Sequence, residues 1–256
     1  MSSDYQTSFI CTDSVEGILT GLYEAYASRI SHRQLCLELE ERYSYRFFYR
    51  YVHVAPDAAK AEKVRQSILR RISPAAWQLI YRAMLSGEAS KADDIFRYLR
   101  GGYHFGAKSL SMIAEPPVAR LLELNRHVSG EAHYYREFIR FEFIGGQFLL
   151  GRIRPKNNIL TLLAPHFADR LGGEHFVILD TLREEAVIHP RDSRWFLSAI
   201  SEKELREAFP ASRDCYVDLW KTFFDSIAIG ERSNPLLQRS MLPLRYRTYM
   251  PEFDRT

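Results

Sequence analysis

Cysteine is scarce in this chain: three residues, Cys11, Cys36 and Cys215, in 256. The odd count and wide spacing exclude a disulfide framework. They also exclude a cysteine-rich zinc site and an iron–sulfur cluster held by closely spaced thiolates, so any iron–sulfur chemistry in this protein's pathway is expected in a partner. Long apolar runs are missing too, and nothing approaches the roughly 18 to 20 residues of a membrane span. Met1 to Tyr5 is polar and opens no secretory signal, which makes a cytoplasmic address the expectation. There is no phosphate loop ending in Lys-Ser or Lys-Thr, no dinucleotide fingerprint, no Gly-x-Ser-x-Gly elbow and no His-Glu-x-x-His, so the common nucleotide-dependent and hydrolase signatures are absent. Lysine is sparse as well: 7 residues against 28 arginines, within a net charge of only +3.

What is present is material for a core. The chain is 46% hydrophobic and holds 16 Phe, 15 Tyr and 3 Trp, an ordinary globular composition that excludes disorder. Apolar residues at helical spacing predict helices after Asp13, after Asp57, after Ser73-Pro74, over Asp93 to Tyr103, over Pro117 to Arg126 and over Gly130 to Glu137. Asp13 with Glu16 three residues on reads as a capping box. Ser8 to Thr12 and Tyr45 to Val54 read as strands, and Ser31 to Glu41 stays ambiguous. From Ile139 the period changes to two, and Gly145-Gly146 marks a hairpin turn. LTLLAPHFADRL over Leu160 to Leu171 reads as a helix, followed by three short strands, a helix over Ser212 to Ile227 and an irregular tail. The expected class is α+β: a mostly helical half over 1–136, then a mostly antiparallel sheet with packed helices and a wrapping tail over 137–256, together one compact unit.

Five groupings could carry chemistry. On a helix, His166, Asp169 and Arg170 share one face; a carboxylate beside an imidazole tunes it for proton transfer, although a salt-bridged helix packed on the sheet explains the same residues, and no metal set is complete. Arg140 alternates with Phe141, Glu142 and Phe143, either as a surface ion-pair ladder or as a ligand contact. Gly101, Gly102 and Gly106 beside Arg97 and Arg100 suit a helix end or a phosphate loop. The tail interleaves Arg232, Gln238, Arg239, Arg245, Tyr246, Arg247 and Tyr249, which suits phosphate contact and base stacking, or a wrapping segment held by ion pairs. Residues 41–71 hold eight basic and three acidic side chains among Tyr43, Tyr45, Phe47, Phe48, Tyr49 and Tyr51. That is the most nucleic-acid-like stretch, or else a strand with one aromatic and one basic face.

Together, FICTDSVEGILTGLYEAY, LRGGYHFG, IRFEF, LAPHFADRL and WKTFFDSIAIGERSNPLLQRSMLPLRYRTYMPEF resemble a bacterial family described as DNA metabolism or DNA repair proteins with a domain of unknown function. Members are encoded beside a radical-SAM DNA modification/repair protein, and some are fused to a uracil-DNA glycosylase-like domain. The resemblance implies DNA and the radical-SAM protein as partners, with a glycosylase-like protein as a further one. It places the cluster and SAM in the partner and no cofactor in this chain. The matching positions include Arg100, Arg140, Pro165, His166, Phe167, Arg170, Trp220, Arg232, Gln238, Arg245 and Tyr246. None brings an established catalytic role, and with no glycosylase-like segment in these residues base excision is not expected. Three functions follow as expectations: a nucleic-acid-binding partner of the radical-SAM enzyme; a nucleic-acid-directed hydrolase using His166 and Asp169, with Arg170 and other arginines around a pocket; or a protein-interaction scaffold. Arg100, Arg140, Arg232, Gln238, Arg245 and Tyr246 are the candidate phosphate or nucleic-acid contacts.

Overall fold

The computed structural model describes residues 5–208, 215–227 and 235–253. The chain divides into two units, Met1–Ser129 and Gly130–Thr256. Helices dominate the first and a five-stranded, mainly antiparallel sheet builds the second, as the change of hydrophobic period predicts.

The first unit opens with strand β1 (Gln6–Cys11), helix α1 (Val15–Ala27), β2 (Leu35–Leu39) and β3 (Tyr49–Val54). The strands form a parallel sheet in the order β2-β1-β3. Sequence periodicity marks two of these strands but not their parallel pairing, because each crossover depends on contacts far apart in sequence. Side chains alternate across a strand. Phe9, Cys11, Leu35, Leu37 and Leu39 therefore face a core shared with Ile18, Leu22, Ile68, Ile80, Phe96 and Leu99. Each such side chain removed from water contributes about 1.5–3 kcal/mol.

Helix α1 is capped by Ser14, whose Oγ accepts from Gly17 N at 2.9 Å, one residue later than expected. Asp13 instead pairs with the buried Lys91 at 2.5 Å. A buried ammonium needs a counter-charge more than a helix end needs that particular carboxylate. The other two caps are as predicted: Asp57 for α2 (Ala58–Arg71), and Ser73 with Pro74 for α3 (Pro74–Met84). Helix α4 (Lys91–Phe105) ends at Gly106, whose φ of +58° favours glycine. Helix α5 (Pro116–Phe138) is one helix where two segments were expected. Gly130 lowers its intrinsic propensity, but an isolated glycine does not break a long helix.

In the second unit, β4 (Phe141–Ile144) and β5 (Phe148–Ile153) form a hairpin. Its turn places Gly145 and Gly146 at φ +58° and +64°, the two positive values of a type I′ turn. Helix α6 (Leu160–Arg170) then crosses over to β6 (Phe176–Asp180), which pairs parallel to β5. β7 (Glu185–His189) and β8 (Phe196–Ala199) complete the order β4-β5-β6-β7-β8 as antiparallel neighbours. The single parallel pair is what the crossover helix makes possible. Helices α7 (Glu202–Ala208), α8 (Cys215–Ile227) and α9 (Pro235–Met241) follow, with short 3-10 turns over Leu244–Tyr249 and Pro251–Phe253. Leu150, Val177, Leu179, Ala186 and Leu205 are buried together against the sheet. Among the described residues no helix is long and apolar enough to cross a membrane.

Candidate nucleic-acid interface

The polar centre of the second unit is a clamp on the loop between β5 and α6. Glu131, on α5 and 3% exposed, accepts hydrogen bonds from Lys156 N at 3.0 Å, Asn157 N at 2.8 Å and Asn157 Nδ2 at 2.7 Å. Tyr135 Oη accepts from Arg154 N at 3.3 Å. From the other side Arg183 donates to the Pro155 and Lys156 carbonyls and to Asp180 Oδ2, which is fully buried at the end of β6. Thr181 meets Tyr249 Oη at 2.9 Å. The carboxyl ends of parallel strands are where open α/β sheets bind ligands. Here the protein's own Glu131, Arg183 and Tyr249 fill that position. Asn157, Asp180 and Arg183 escaped sequence reasoning, since a single Asn or an Asp–Arg pair at i,i+3 carries no distinctive pattern.

The tail is tied to the same helix. Tyr246 is 4% exposed; its ring stacks on Tyr134 at 5.1 Å and meets Tyr135 edge-on at 5.0 Å. Burial and the nearby Glu131 push its phenol above the ordinary range, with burial the larger cause. Its hydroxyl accepts from Arg245 Nη2 at 2.6 Å, and the Arg245 guanidinium lies 4.7 Å over its ring. Tyr246 is therefore a post that holds the exposed Arg245, not a free stacking face. Gln238 is exposed on α9. Arg232 lies outside the described residues.

Arg140 is engaged internally. Its Nε and Nη2 donate to Glu252 Oε1 at 3.0 and 2.8 Å, and its guanidinium lies 5.4 Å from the Trp220 ring centre. The Glu252 side chain is 1% exposed, and burying an unpaired carboxylate is costly, so this pair is structural. A cavity of about 170 Å³ beside it is lined by Phe141, Arg152, Val217, Thr248 and Tyr249, and contains neither His166 nor Arg245.

His166, Asp169 and Arg170 all lie exposed on α6, as the spacing predicts. Asp169 forms neither a hydrogen bond nor an ion pair with His166 among the described residues. Arg136, whose Nη2 donates to the Leu162 carbonyl at 2.7 Å, lies beside the imidazole instead. Partial desolvation, then the charges of Arg136 and Arg170, hold His166 below the ordinary histidine range, and the opposing pull of Asp169 is the smallest of the four. The local field is therefore positive. Arg100 is exposed on α4 in the first unit, beside a cavity of about 310 Å³ lined with Gly101, Phe105, Met112 and Val118. Among the described residues, no carboxylate pairs with Arg100, Arg170 or Arg245, while Arg97, Arg120, Arg140, Arg152 and Arg183 all have one. No group of three or more His, Cys, Asp or Glu that could hold a metal ion is found among the described residues.

The basic-aromatic stretch forms an exposed loop before β3, with Tyr45, Phe47 and Phe48 at 77, 93 and 73% exposure. The strand expected from Tyr45 starts only at Tyr49. A family model for a domain of unknown function, DUF4130, matches residues 89–252. That segment contains α4 through the tail and excludes the aromatic loop. No curated protein matches the chain.

Proposed function

The chain belongs to the DUF4130 family, and from that premise we propose that it is a nucleic-acid-binding protein of DNA repair or DNA metabolism, acting beside a radical-SAM enzyme. The observation that carries the reading is the state of the arginines in the family segment. Arg170 and Arg245 are exposed and without a carboxylate partner among the described residues, and burial, followed by the charges of Arg136 and Arg170, depresses His166. Exposed guanidiniums held on rigid elements suit phosphate oxygens. Hydrolysis by a His166–Asp169 pair has less support, because the pair is not hydrogen-bonded and Arg140 is committed to Glu252. The cluster and SAM belong to the partner, since three scattered cysteines cannot provide a cluster site.

A contact with a partner protein has its own support. Leu219 and Phe223 on α8, and Leu236, Leu237 and Met241 on α9, are exposed at 51 to 79%. Apolar side chains in such number mark protein contact.

The test is binding of labelled single- and double-stranded DNA across a salt series. Wild type binds at low salt, with affinity falling as salt rises. The Arg170→Glu/Arg245→Glu double variant loses about tenfold or more and has a shallower salt slope, because each phosphate contact contributes nearly one unit to it. Absence of binding by the protein alone and with the co-purified radical-SAM neighbour rejects the DNA reading. Retention of that neighbour without DNA affinity leaves the scaffold.

A further inference from the structure

Outside the family segment, the face of the first sheet turned away from the helices carries a different surface. Register aligns Gln6 with Tyr49, Ser8 with Cys36 and Tyr51, and Ile10 with Glu38 and His53. Onto this face folds the loop Arg42–Phe48, which runs into β3 at Tyr49; of the ten residues Arg42–Tyr51, six are aromatic, three are arginine and one is serine. The loop is locked from below. Tyr51 Oη accepts from Arg46 N at 2.7 Å and donates to the Ser44 carbonyl at 3.2 Å. Arg46 bonds Glu38 and lies 4.1 Å over the Tyr49 ring. Tyr43, Tyr45 and Tyr51 meet at centroid distances of 5.1 to 5.7 Å.

The lock leaves rings in water. Tyr45, Phe47 and Phe48 are largely exposed, and Phe48 sits at φ +64°, a conformation costly for a bulky side chain. Beside them lies a cavity of about 350 Å³ lined by Arg33, Arg42, Arg46 and Arg97 against Glu38 and Asp93. Four cations against two anions leave an excess of two positive charges.

We propose that this loop binds single-stranded DNA: unpaired bases stack on Tyr45, Phe47 and Phe48, and the backbone phosphates lie along Arg33 and Arg42. The polymer class rests on the nucleic-acid reading above; the strand preference rests on this surface alone. Every base offers a π-face to an aromatic ring, and an adjoining positive groove tracks the backbone. In a duplex the faces are already stacked on neighbouring bases. A protein partner is less well matched, because ten consecutive residues without one aliphatic side chain offer rings and guanidiniums only, whereas protein-interface cores also use aliphatic and Met contacts.

The experiment measures fluorescence anisotropy of a labelled oligothymidylate and of a duplex of equal length with the full chain at low salt. Tyr45→Ala/Phe47→Ala weakens single-strand binding at least about tenfold, since stacking contributes about 1–3 kcal/mol per base, and leaves duplex binding within about twofold. Phe47→Trp retains affinity. Both truncated side chains are exposed, so an unchanged melting temperature checks the fold. Single-strand binding that survives Tyr45→Ala/Phe47→Ala but falls with Arg170→Glu/Arg245→Glu overturns this inference and leaves the function above standing. Binding of neither DNA form by wild type removes both. Loss of a co-purifying protein in place of DNA overturns it in favour of a protein interface.

Discussion

Arg140→Ala leaves the Glu252 carboxylate buried beside an emptied guanidinium site. Breaking one side of a buried ion pair costs about 3 kcal/mol, so the urea midpoint of the variant falls well below wild type. Were Arg140 a phosphate contact instead, DNA affinity would fall while stability held. His166 gives a test of the opposite kind. Its folded pKa lies below its ordinary value of 6.5, so near that pH the unfolded chain binds more protons than the native one. Stability is unaffected well above pH 6.5 and decreases as pH falls through that value toward the lower folded pKa. His166→Gln removes this contribution, and its stability falls less than that of wild type between pH 7.5 and 5.5 when both are followed by urea unfolding. At this scale the sequence was informative about residue type and less so about occupation. His166, Asp169 and Arg170 do share a helix face, but whether an arginine is free or paired depends on residues such as Glu252, 112 positions from Arg140.

Strands and helices were legible where the reason is local. The Ser73-Pro74 start, the Gly145-Gly146 turn and the change of period at Ile139 rest on steric rules within a few residues, and the structure has them where they were read. Pairing direction was not legible. Phe148–Ile153 and Phe176–Asp180 look alike whether their neighbours run parallel or antiparallel, and only the crossover by α6 decides it. Gly151 shows a packing reason that pattern alone hides. A Cβ there would lie 2.6 Å from Ile139 Cδ1 and 2.9 Å from Phe141 Cε1, so the glycine in β5 makes room for the two side chains that cover it. Gly151→Ala forces them aside and costs about 1–3 kcal/mol, read as a lowered melting temperature with the hairpin retained.

For the molecule as a whole, composition bounds the answer more than any motif. A net charge of +3 confines the nucleic-acid contact proposed above to patches, which that proposal locates at exposed arginines and rings. The position of β1 also governs how the chain assembles. It is the centre of the parallel sheet, yet it is made first and must wait for both neighbours. The second of them, β3, begins about 38 residues after β1 ends, roughly 2–8 s of synthesis. Until then the Phe9–Cys11 run keeps one edge open even after β2 has paired with the other. The first unit therefore closes late on the growing chain, and a nascent chain paused between β2 and β3 is its most aggregation-prone form.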